Sequence, residues 1–315
     1  RTALAVNRLC GSGFQAVVTA AEQILLGEAR AILASGTENM TQSPHVFYGL
    51  RDGAAKFGKP PVLIASLWEG LTDSLSKTPM GVTAENLAEK YGISRADADA
   101  YALRSQQNWQ KADAAGIFAR EIVPVTVKQG KKEVLVEKDE HPRPNTTAEV
   151  LAKLPSVFKK DGTVTAGNAS GICDGAASLI VCDAEFAKAK GLTPLARLVG
   201  WGVAGVEPTL MGIGPAPAIR RALDRTGLKP ADIDLFDVNE AFAPQLLAVQ
   251  KELELPSDKL NVCGGAIALG HPLGASGARI TTNLIYALAH HGKKIGVGSA
   301  CIGGGQGIAV VLERL

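Results

Sequence analysis

The sequence predicts an α/β protein made of two similar halves, and three observations support this. Apolar runs of strand length alternate along the 315 residues with segments whose apolar residues recur at helical spacing. A small-residue turn at 10–13, followed by a helix and a strand, is repeated in outline at 274–277. Glycine contributes 35 residues, well above the roughly 7% of an average protein, which indicates tight turns and close backbone contacts.

The first half begins with an apolar strand that ends at Val6. A helix follows, and then a strand at 29–35. The apolar face of that helix contains Phe14, Val17, Val18, Ala21 and Leu25. Residues 41–161 are charged and interrupted by proline, with a helical stretch at 83–115 and a charged run at 128–143, so we expect an inserted, mostly surface-exposed domain.

The chain then returns to a buried strand at Gly175–Cys182, a helix at 184–190 and a turn at Gly191. Beyond it, strands are predicted at 195–200, Leu235–Val238, 294–299 and 308–312, and helices at 217–226, 244–253 and 277–290. Small-residue helix starts also recur in unrelated α/β proteins, so the internal repeat has two explanations, duplication and coincidence.

Composition excludes several classes of protein. The chain is 46% apolar and 20% charged, and Lys+Arg 33 against Asp+Glu 31 gives a net charge of +2. These values exclude disorder, a coiled coil and an electrostatic nucleic-acid binder. No apolar run reaches the roughly 20 residues needed to span a bilayer, so we expect no membrane association.

The five cysteines are odd in number and lack CxxC spacing, which favours a reduced intracellular protein without a disulfide framework or a zinc ribbon. We expect a cytoplasmic location, with the mitochondrial matrix as the alternative. Because the first residue is Arg1 rather than Met, we also expect the natural N-terminus to lie further upstream.

Two residues form a candidate nucleophile and base. Cys10 lies where the first strand gives way to a helix, whose N-terminus favours a thiolate. The helix end supplies about 0.3–1 kcal/mol, less than the roughly 2 kcal/mol needed to bring the thiol pKa near 7, so a second group is required. His271 precedes a proline and must therefore lie in a loop, where its imidazole can accept a proton. The alternative for Cys10 is a buried structural cysteine.

Two further positions could take part in chemistry. Cys301 leads into a glycine-rich turn at 302–307, whose backbone N–H groups can converge on an oxyanion, although an incidental cysteine beside a turn fits as well. Asn239 follows the strand Leu235–Val238, at the carboxyl end where α/β enzymes gather ligand-binding groups. It could instead cap a helix.

Other enzyme classes lack support in the sequence. Gly270, Gly274 and Gly277 could form a dinucleotide loop, but that motif needs an acidic residue about 20 positions later, and residues 278–312 contain neither Asp nor Glu. We therefore discount a nicotinamide dehydrogenase. P-loop, HExxH and EF-hand motifs are also absent, so an ATPase and a metalloenzyme are not indicated.

Five motifs together resemble the thiolase family over essentially the whole chain, in particular the 3-ketoacyl-CoA and acetoacetyl-CoA thiolases. They are NRLCGSGFQ at 7–15, TAGNASGICDGA at 165–176, NEAFAPQ at 239–245, GGAIALGHPLGASGAR at 264–279 and CIGGGQG at 301–307. The resemblance implies a thiolase fold, in which two similar α/β halves form a five-layer αβαβα arrangement with an inserted loop domain. It places the N-terminal half at 1–40 and 163–191, the CoA-binding loop domain at 41–162 and the C-terminal half at 192–315.

The resemblance also implies catalytic roles. Cys10 corresponds to the nucleophile that carries the acyl group as a thioester, and His271 to the base that activates it and helps to bind the thioester oxygen. Asn239 is similar to the residue that orients a water in that oxyanion site, while the N–H groups of Cys10 and Gly303 would form a second one. Cys301 resembles the cysteine that moves a proton to or from the α-carbon of acetyl-CoA.

Coenzyme A and acyl-CoA enter this scheme as substrates, and no tightly bound cofactor is expected. The implied contacts of coenzyme A are Ser170 with the pantetheine, Met80, Phe158 and Met211 with the region near the thioester, and Arg143 with the adenine nucleotide. Pro79 stands where biosynthetic acetoacetyl-CoA thiolases commonly have histidine. That difference favours longer acyl groups.

The resemblance further implies a homodimer or homotetramer, and two additional strand–helix units before Asn7. Two alternatives remain. One is a non-catalytic acyl-CoA or lipid-binding relative, or an inactive truncated form. The other is a ketoacyl synthase, which fits less well because those enzymes have a second histidine where this chain has Cys301.

Overall fold

The computed structural model of the chain describes residues 2–315. The first half of the chain contains α1 (Ser12–Leu25), β1 (Ala31–Glu38), β2 (His45–Tyr48), β3 (Val62–Ala65), α2 (Ser66–Gly70), α3 (Met80–Tyr91), α4 (Arg95–Ala114), β4 (Val125–Gln129), β5 (Lys132–Val136) and α5 (Ala148–Ala152). The second half contains β6 (Gly175–Cys182), α6 (Ala184–Ala189), β7 (Ala196–Gly205), α7 (Pro215–Thr226), β8 (Leu235–Val238), α8 (Ala243–Leu253), α9 (Ala266–Leu269), α10 (Leu273–His290), β9 (Ile295–Ile302) and β10 (Gln306–Arg314).

The helices α7 and α8, a four-stranded sheet, the helices α1 and α10, and a two-stranded sheet are stacked in that order. The larger sheet has the strand order β7-β10-β9-β8; β8 runs parallel to β9, and the other pairs are antiparallel. Helix α7 packs on one face of this sheet, while α1 and α10 pack on the other and also against β1 and β6. Residues 2–315 thus form four of the five expected layers.

The two repeated segments meet in the middle layer. Helix α1 leads to β1, and α10 leads to β9, as the repeat predicts. Gly13 and Gly277 lie where the two helices cross, and a Cβ atom on either residue would overlap backbone atoms of the other helix. The glycines of the repeat therefore permit close packing of its two helices.

The structure corrects two predicted helices. The stretch at 83–115 is two helices, because Gly92 takes a left-handed φ of 58° that ends α3. Ser94 and Asp97 then form the capping box that begins α4. Helix α10 begins at Leu273 rather than at 277, since Pro272 is its N-cap residue and the fixed φ of proline suits a helix start.

The observed strands differ in length and number from the predicted ones. The charged run at 128–143 includes the end of β4 and all of β5, which form a hairpin. Strands β7, β9 and β10 extend beyond 195–200, 294–299 and 308–312, because each is hydrogen-bonded along its length to a neighbour. The predicted strand ending at Val6 is wrong for residues 2–6, which have no regular structure, and its start at Arg1 lies outside the described residues. A strand needs a pairing partner, and within the described part of the chain β1 pairs with β6 alone.

The outer face of the two-stranded sheet is open to solvent, with Leu33 67% and Ile180 68% exposed. Among residues 2–315, none of the helices combines the length and the apolar character needed to cross a membrane.

Candidate active site

Cys10 lies in a short 3-10 turn, Leu9–Gly11, immediately before α1. Leu9 has a φ of 47°, a strained conformation for a residue with a side chain. Hydrogen bonds secure the turn: Asn7 Oδ1 accepts the Leu9 N–H at 2.9 Å, and Ser12 Oγ accepts the Arg8 N–H at 2.9 Å and donates to the Leu9 carbonyl at 2.8 Å. The position of the thiol is thus fixed by its own sequence neighbours.

The Cys10 thiol is protonated at rest. Burial raises its pKa to about 11, although the backbone N–H groups of Gly303 and of Cys10 itself point at the sulfur and lower the pKa. The backbone N–H groups thus favour the thiolate, as expected, but the loss of water on burial outweighs them. A reactive Cys10 needs a group that removes its proton.

Cys301 is fully buried inside β9, which extends past the predicted strand end at 299. The glycine turn begins at Gly303, and Gly304 and Gly305 have φ values of 80° and 78°. Burial raises the pKa of the Cys301 thiol, and a negative charge on Cys10 would raise it further. Strand β9 packs against the turn that holds Cys10. The Gly303 N–H lies at the Cys10 sulfur. The structure therefore brings Cys10, Gly303 and Cys301 together.

A second buried group contains Asn239, His271 and Ser276. The Asn239 N–H donates to the Ser299 carbonyl on β9 at 2.8 Å, so Asn239 continues β8 past its last paired residue. Its Nδ2 lies 3.2 Å from His271 Nε2, and His271 Nδ1 lies 2.6 Å from Ser276 Oγ. Helix α8 begins after Phe242, so the alternative reading of Asn239 as a helix cap is wrong.

The His271 imidazole is neutral at physiological pH. Burial lowers its pKa to about 3, and the positive charge of Arg279 acts in the same direction. Gly270, with a φ of 88°, precedes it, and a Cβ there would overlap Cys173 Sγ. Burial and the neighbouring cation thus keep the resting ring neutral, and they make it a weak base until negative charge develops beside it.

The two groups lie at the same end of the four-stranded sheet. Asn239 directly follows β8, and Cys301 lies near the end of the parallel neighbour β9. Helix α10, which His271 immediately precedes, packs against the Leu9–Gly11 turn. Carboxyl ends of adjacent parallel strands are where α/β folds concentrate their ligand-binding groups.

An apolar wall adjoins Cys301. Met80, Met211 and Ala241 pack with it, as do Leu71 and Phe242. The Phe158 ring contacts Phe242 edge to face, with the ring centroids 6.1 Å apart, and it covers Gly81 at the start of α3. The three apolar residues implied by the resemblance are therefore contiguous. Leu71 and Phe242 were not predicted, although Phe242 lies inside the NEAFAPQ motif.

Arg143 and the segment before Ser170 line one cleft of about 430 Å³. The exposed Arg143, His141, Thr146 and the 166–169 segment are among its lining residues. Ser170 is bound to the loop after Asn239: its N–H and its hydroxyl donate to the Ala241 carbonyl at 3.0 and 3.1 Å. Ser170 thus lies next to the cleft rather than in its lining, and it joins the segment 166–169 to the loop after Asn239.

Glu240 is a structural residue that sequence analysis passed over. Its fully buried carboxylate accepts hydrogen bonds from Tyr101 Oη (2.7 Å), Asn261 Nδ2 (2.8 Å), Ser105 Oγ (2.6 Å) and the Ile267 N–H (3.1 Å). These bonds join α4 to the loops on both sides of the site. A buried charge with four donors is strongly held, and its place next to Asn239 in the motif was the available signal.

The chain matches both domains of one protein family along its length. Residues 1–185 match the thiolase N-terminal domain and residues 192–314 the thiolase C-terminal domain. It is 57% identical over 312 residues to the mitochondrial 3-ketoacyl-CoA thiolase of Mus musculus, covering 99% of this chain and 78% of that protein. It is 50% identical over 310 residues to the acetyl-CoA acetyltransferase of Escherichia coli, covering 98% and 79%.

Solved structures show the same fold. The crystal structure of human mitochondrial 3-ketoacyl-CoA thiolase superimposes with a TM-score of 0.96 at 54% identity, covering 98% of this chain and 78% of that one. The structure of the human enzyme in complex with CoA gives a TM-score of 0.95 at the same identity, covering 98% and 77%. The α/β fold predicted from the sequence is confirmed as the thiolase fold, and the chain belongs to the thiolase family.

Proposed function

We propose that this protein is a coenzyme-A-dependent acyltransferase that cleaves 3-ketoacyl-CoA into acetyl-CoA and a shortened acyl-CoA, or runs the reverse condensation. The observation that carries the proposal is that β9, which holds the buried Cys301, packs against the turn that holds the buried Cys10, and that the Gly303 N–H points at the Cys10 sulfur. One thiol can then carry an acyl group while the other handles the proton at carbon.

In the first half-reaction, the Cys10 sulfur attacks the 3-keto carbonyl carbon and its proton passes to His271. The bond between the α- and β-carbons breaks, and its electron pair forms the enolate of acetyl-CoA. Cys301 donates its proton to the α-carbon, which releases acetyl-CoA and leaves Cys10 as a thioester. The raised pKa of Cys301 keeps that proton in place until the enolate forms.

In the second half-reaction, the thiolate of Cys301 takes the proton of the coenzyme A thiol. The resulting sulfur anion attacks the thioester on Cys10, and acyl-CoA leaves. Cys10 recovers its proton from the His271 imidazolium, so every proton is returned. The N–H groups of Gly303 and Cys10 would stabilise the oxyanion of the tetrahedral intermediate.

Asn239 and His271 would hold the thioester oxygen of the substrate as negative charge develops on it. Asn239 Nδ2 is hydrogen-bonded to His271. Asn239 Oδ1 is buried and has no hydrogen-bond partner among residues 2–315. A buried amide oxygen in that state is suited to accept a hydrogen bond from a water molecule. This supports the role of Asn239 in orienting a water beside the substrate.

The inserted segment 41–162 would bind coenzyme A. Met80, Phe158 and Met211 would contact the region near the thioester, Ser170 the pantetheine, and Arg143 the adenine nucleotide. The contiguous apolar wall and the cleft that contains Arg143 support this assignment. The structure of the human enzyme in complex with CoA supports coenzyme A as the ligand.

For the substrate, we propose the 3-ketoacyl type over acetoacetyl-CoA alone, because Pro79 lies beside Met80 at the apolar wall. Similar proteins include members with both names. The mammalian relatives are named mitochondrial, which supports the mitochondrial alternative rather than the cytoplasmic expectation. A homodimer or homotetramer remains a prediction.

The test is a spectrophotometric assay of 3-ketoacyl-CoA cleavage with free coenzyme A, run over substrates of increasing length. We expect cleavage, a ping-pong rate law and an acyl adduct on Cys10 found by mass spectrometry. Cys182→Ala is the matched control, because Cys182 lies at the far end of β6, paired with Ala31. Binding of acyl-CoA without turnover would favour the non-catalytic alternative.

A further inference from the structure

Ser276 makes a short hydrogen bond to the proposed base. Its hydroxyl oxygen lies 2.6 Å from His271 Nδ1, and it is fully buried in the first turns of α10. The same hydroxyl lies 3.1 Å from the Pro272 carbonyl. Ser276 is buried, and these two contacts determine where its single proton points.

The donors and acceptors around the ring fix the direction of each bond. Asn239 Nδ2 donates to His271 Nε2, so Nε2 carries a lone pair. A neutral imidazole has one N–H, which must then be on Nδ1 and must donate to Ser276 Oγ. The hydroxyl proton of Ser276 in turn goes to the Pro272 carbonyl, which can only accept. The chain Asn239, His271, Ser276, Pro272 therefore has donors running in one direction.

Arg279 makes the neutral state of the ring more favourable. Together with burial it lowers the pKa of His271 to about 3. Because the ring is neutral, it can exist as either of two tautomers, and an isolated imidazole has no strong preference between them. The contact on Nδ1 decides which nitrogen can take a proton.

We propose that Ser276 is a positioning residue that holds His271 in the tautomer protonated on Nδ1. Nε2 then keeps the lone pair that accepts from Asn239 at rest and can receive a proton during the reaction. This proposal rests on the proposed function of His271 as the base for Cys10. Once Nε2 has taken that proton, the ring can donate a hydrogen bond to the thioester oxygen, so one tautomer serves both steps. The opposite tautomer would offer no lone pair at Nε2.

The kinetic test compares Ser276→Ala with Thr281→Ala. Thr281 is also buried in α10, and its hydroxyl donates to the carbonyl four residues earlier at 2.7 Å, but it is not bonded to a histidine. We expect Ser276→Ala to lower kcat by about tenfold to a hundredfold with KM within about twofold, Thr281→Ala to leave kcat near that of the wild type, and Ser276→Thr to restore most of the loss. An equal loss in both alanine variants, or no loss in Ser276→Ala, would overturn the proposal.

A measurement on the wild-type protein tests the tautomer without reference to activity. ¹⁵N NMR of the five labelled histidines, with His271 assigned by the missing signal in His271→Gln, distinguishes a protonated Nδ1 from a protonated Nε2. We expect protonated Nδ1 in the wild type and a mixture of tautomers in Ser276→Ala. A protonated Nε2 in the wild type would contradict the proposal, even if the protein has cleavage activity. Absence of cleavage with protonated Nδ1 would instead count against the proposed function.

Discussion

Gly13 and Gly277 face each other where α1 and α10 cross, and each occupies the space into which the other would project a side chain. The contact joins the two repeated segments directly behind the turn that carries Cys10. Small residues at such a crossing allow backbones to approach more closely than any larger residue permits.

Replacement of either glycine by alanine should destabilise the protein. The added methyl group meets backbone atoms, which cannot move aside as a flexible side chain can, so we expect Gly277→Ala to lower the free energy of unfolding by about 1–3 kcal/mol. Urea denaturation measures the change. Gly70→Ala is the control, because a Cβ there meets nothing within 4 Å, and equal effects of both substitutions would contradict the argument.

Alkylation of Cys10 by iodoacetamide should accelerate steadily with pH. Burial raises the pKa of this thiol to about 11, and only the thiolate reacts, so its fraction grows about tenfold for each pH unit below that value. We expect the rate constant to rise through pH 7, 8 and 9, followed by mass spectrometry of the modified peptide. A plateau below pH 8 would show that the resting thiol is far more acidic than its burial implies.

Cys301→Ala should separate the two half-reactions. The variant keeps Cys10 and its N–H donors but loses the proton donor at the α-carbon. We expect acylation of Cys10 to persist, while exchange of the α-protons of acetyl-CoA falls by about a hundredfold or more. Proton exchange followed by NMR in heavy water checks this, with Cys182→Ala as control. Retained exchange would remove Cys301 from its proposed role.

Arg143→Ala should weaken coenzyme A binding with little effect on turnover. The guanidinium is exposed at the cleft, where its interaction with a phosphate would be partly screened, so we expect KM for coenzyme A to rise by about threefold to tenfold at unchanged kcat. Lys190→Ala, an exposed cation after α6, is the control. A fall in kcat at constant KM would place Arg143 elsewhere in the mechanism.

Glu121 should make stability depend on pH. Burial raises its pKa from 4.5 to about 7, against the hydrogen bond from Asn283 and the charge of Arg279. Between pH 4.5 and about pH 7, Glu121 is protonated in the folded protein but ionised in the unfolded chain. The free energy of unfolding therefore falls as the pH rises through this range. Asp237, with a pKa raised to about 6, acts in the same direction.

We expect Glu121→Gln to flatten this dependence and to be more stable than the wild type at pH 8, by about 1–3 kcal/mol. Urea denaturation at pH 5 and pH 8 provides the comparison. Glu133→Gln, on the exposed β5, serves as the control. A variant that is less stable at pH 8 would indicate that the Glu121 charge is well solvated.

Sequence patterns located most of the site because they mark strand ends. Asn239 was predicted to follow β8, and Gly303 to lie in the turn that follows Cys301. Both positions depend on local patterns of apolar residues and glycine, which are read directly from the chain. The resemblance to the thiolases then supplied a catalytic role for each of these residues.

Features that depend on distant contacts were not predictable in this way. The acidity of Cys10 is set by burial under other elements, not by the helix that follows it. Strand formation before Val6 needs a partner that local patterns cannot reveal. The bond between His271 and Ser276 depends on how α10 starts, and that start was predicted four residues too late.

The position of Cys301 within β9 has a consequence for how chain length can vary in this fold. Side chains of a strand alternate between its two faces, so inserting or deleting a single residue between Ser299 and Cys301 would turn the sulfur towards the opposite side. An insertion at the exposed hairpin tip between Gln129 and Lys132, by contrast, lengthens the turn and leaves the pairing of β4 with β5 unchanged. Among natural relatives, we expect insertions and deletions to be common at that tip and rare between Ser299 and Cys301.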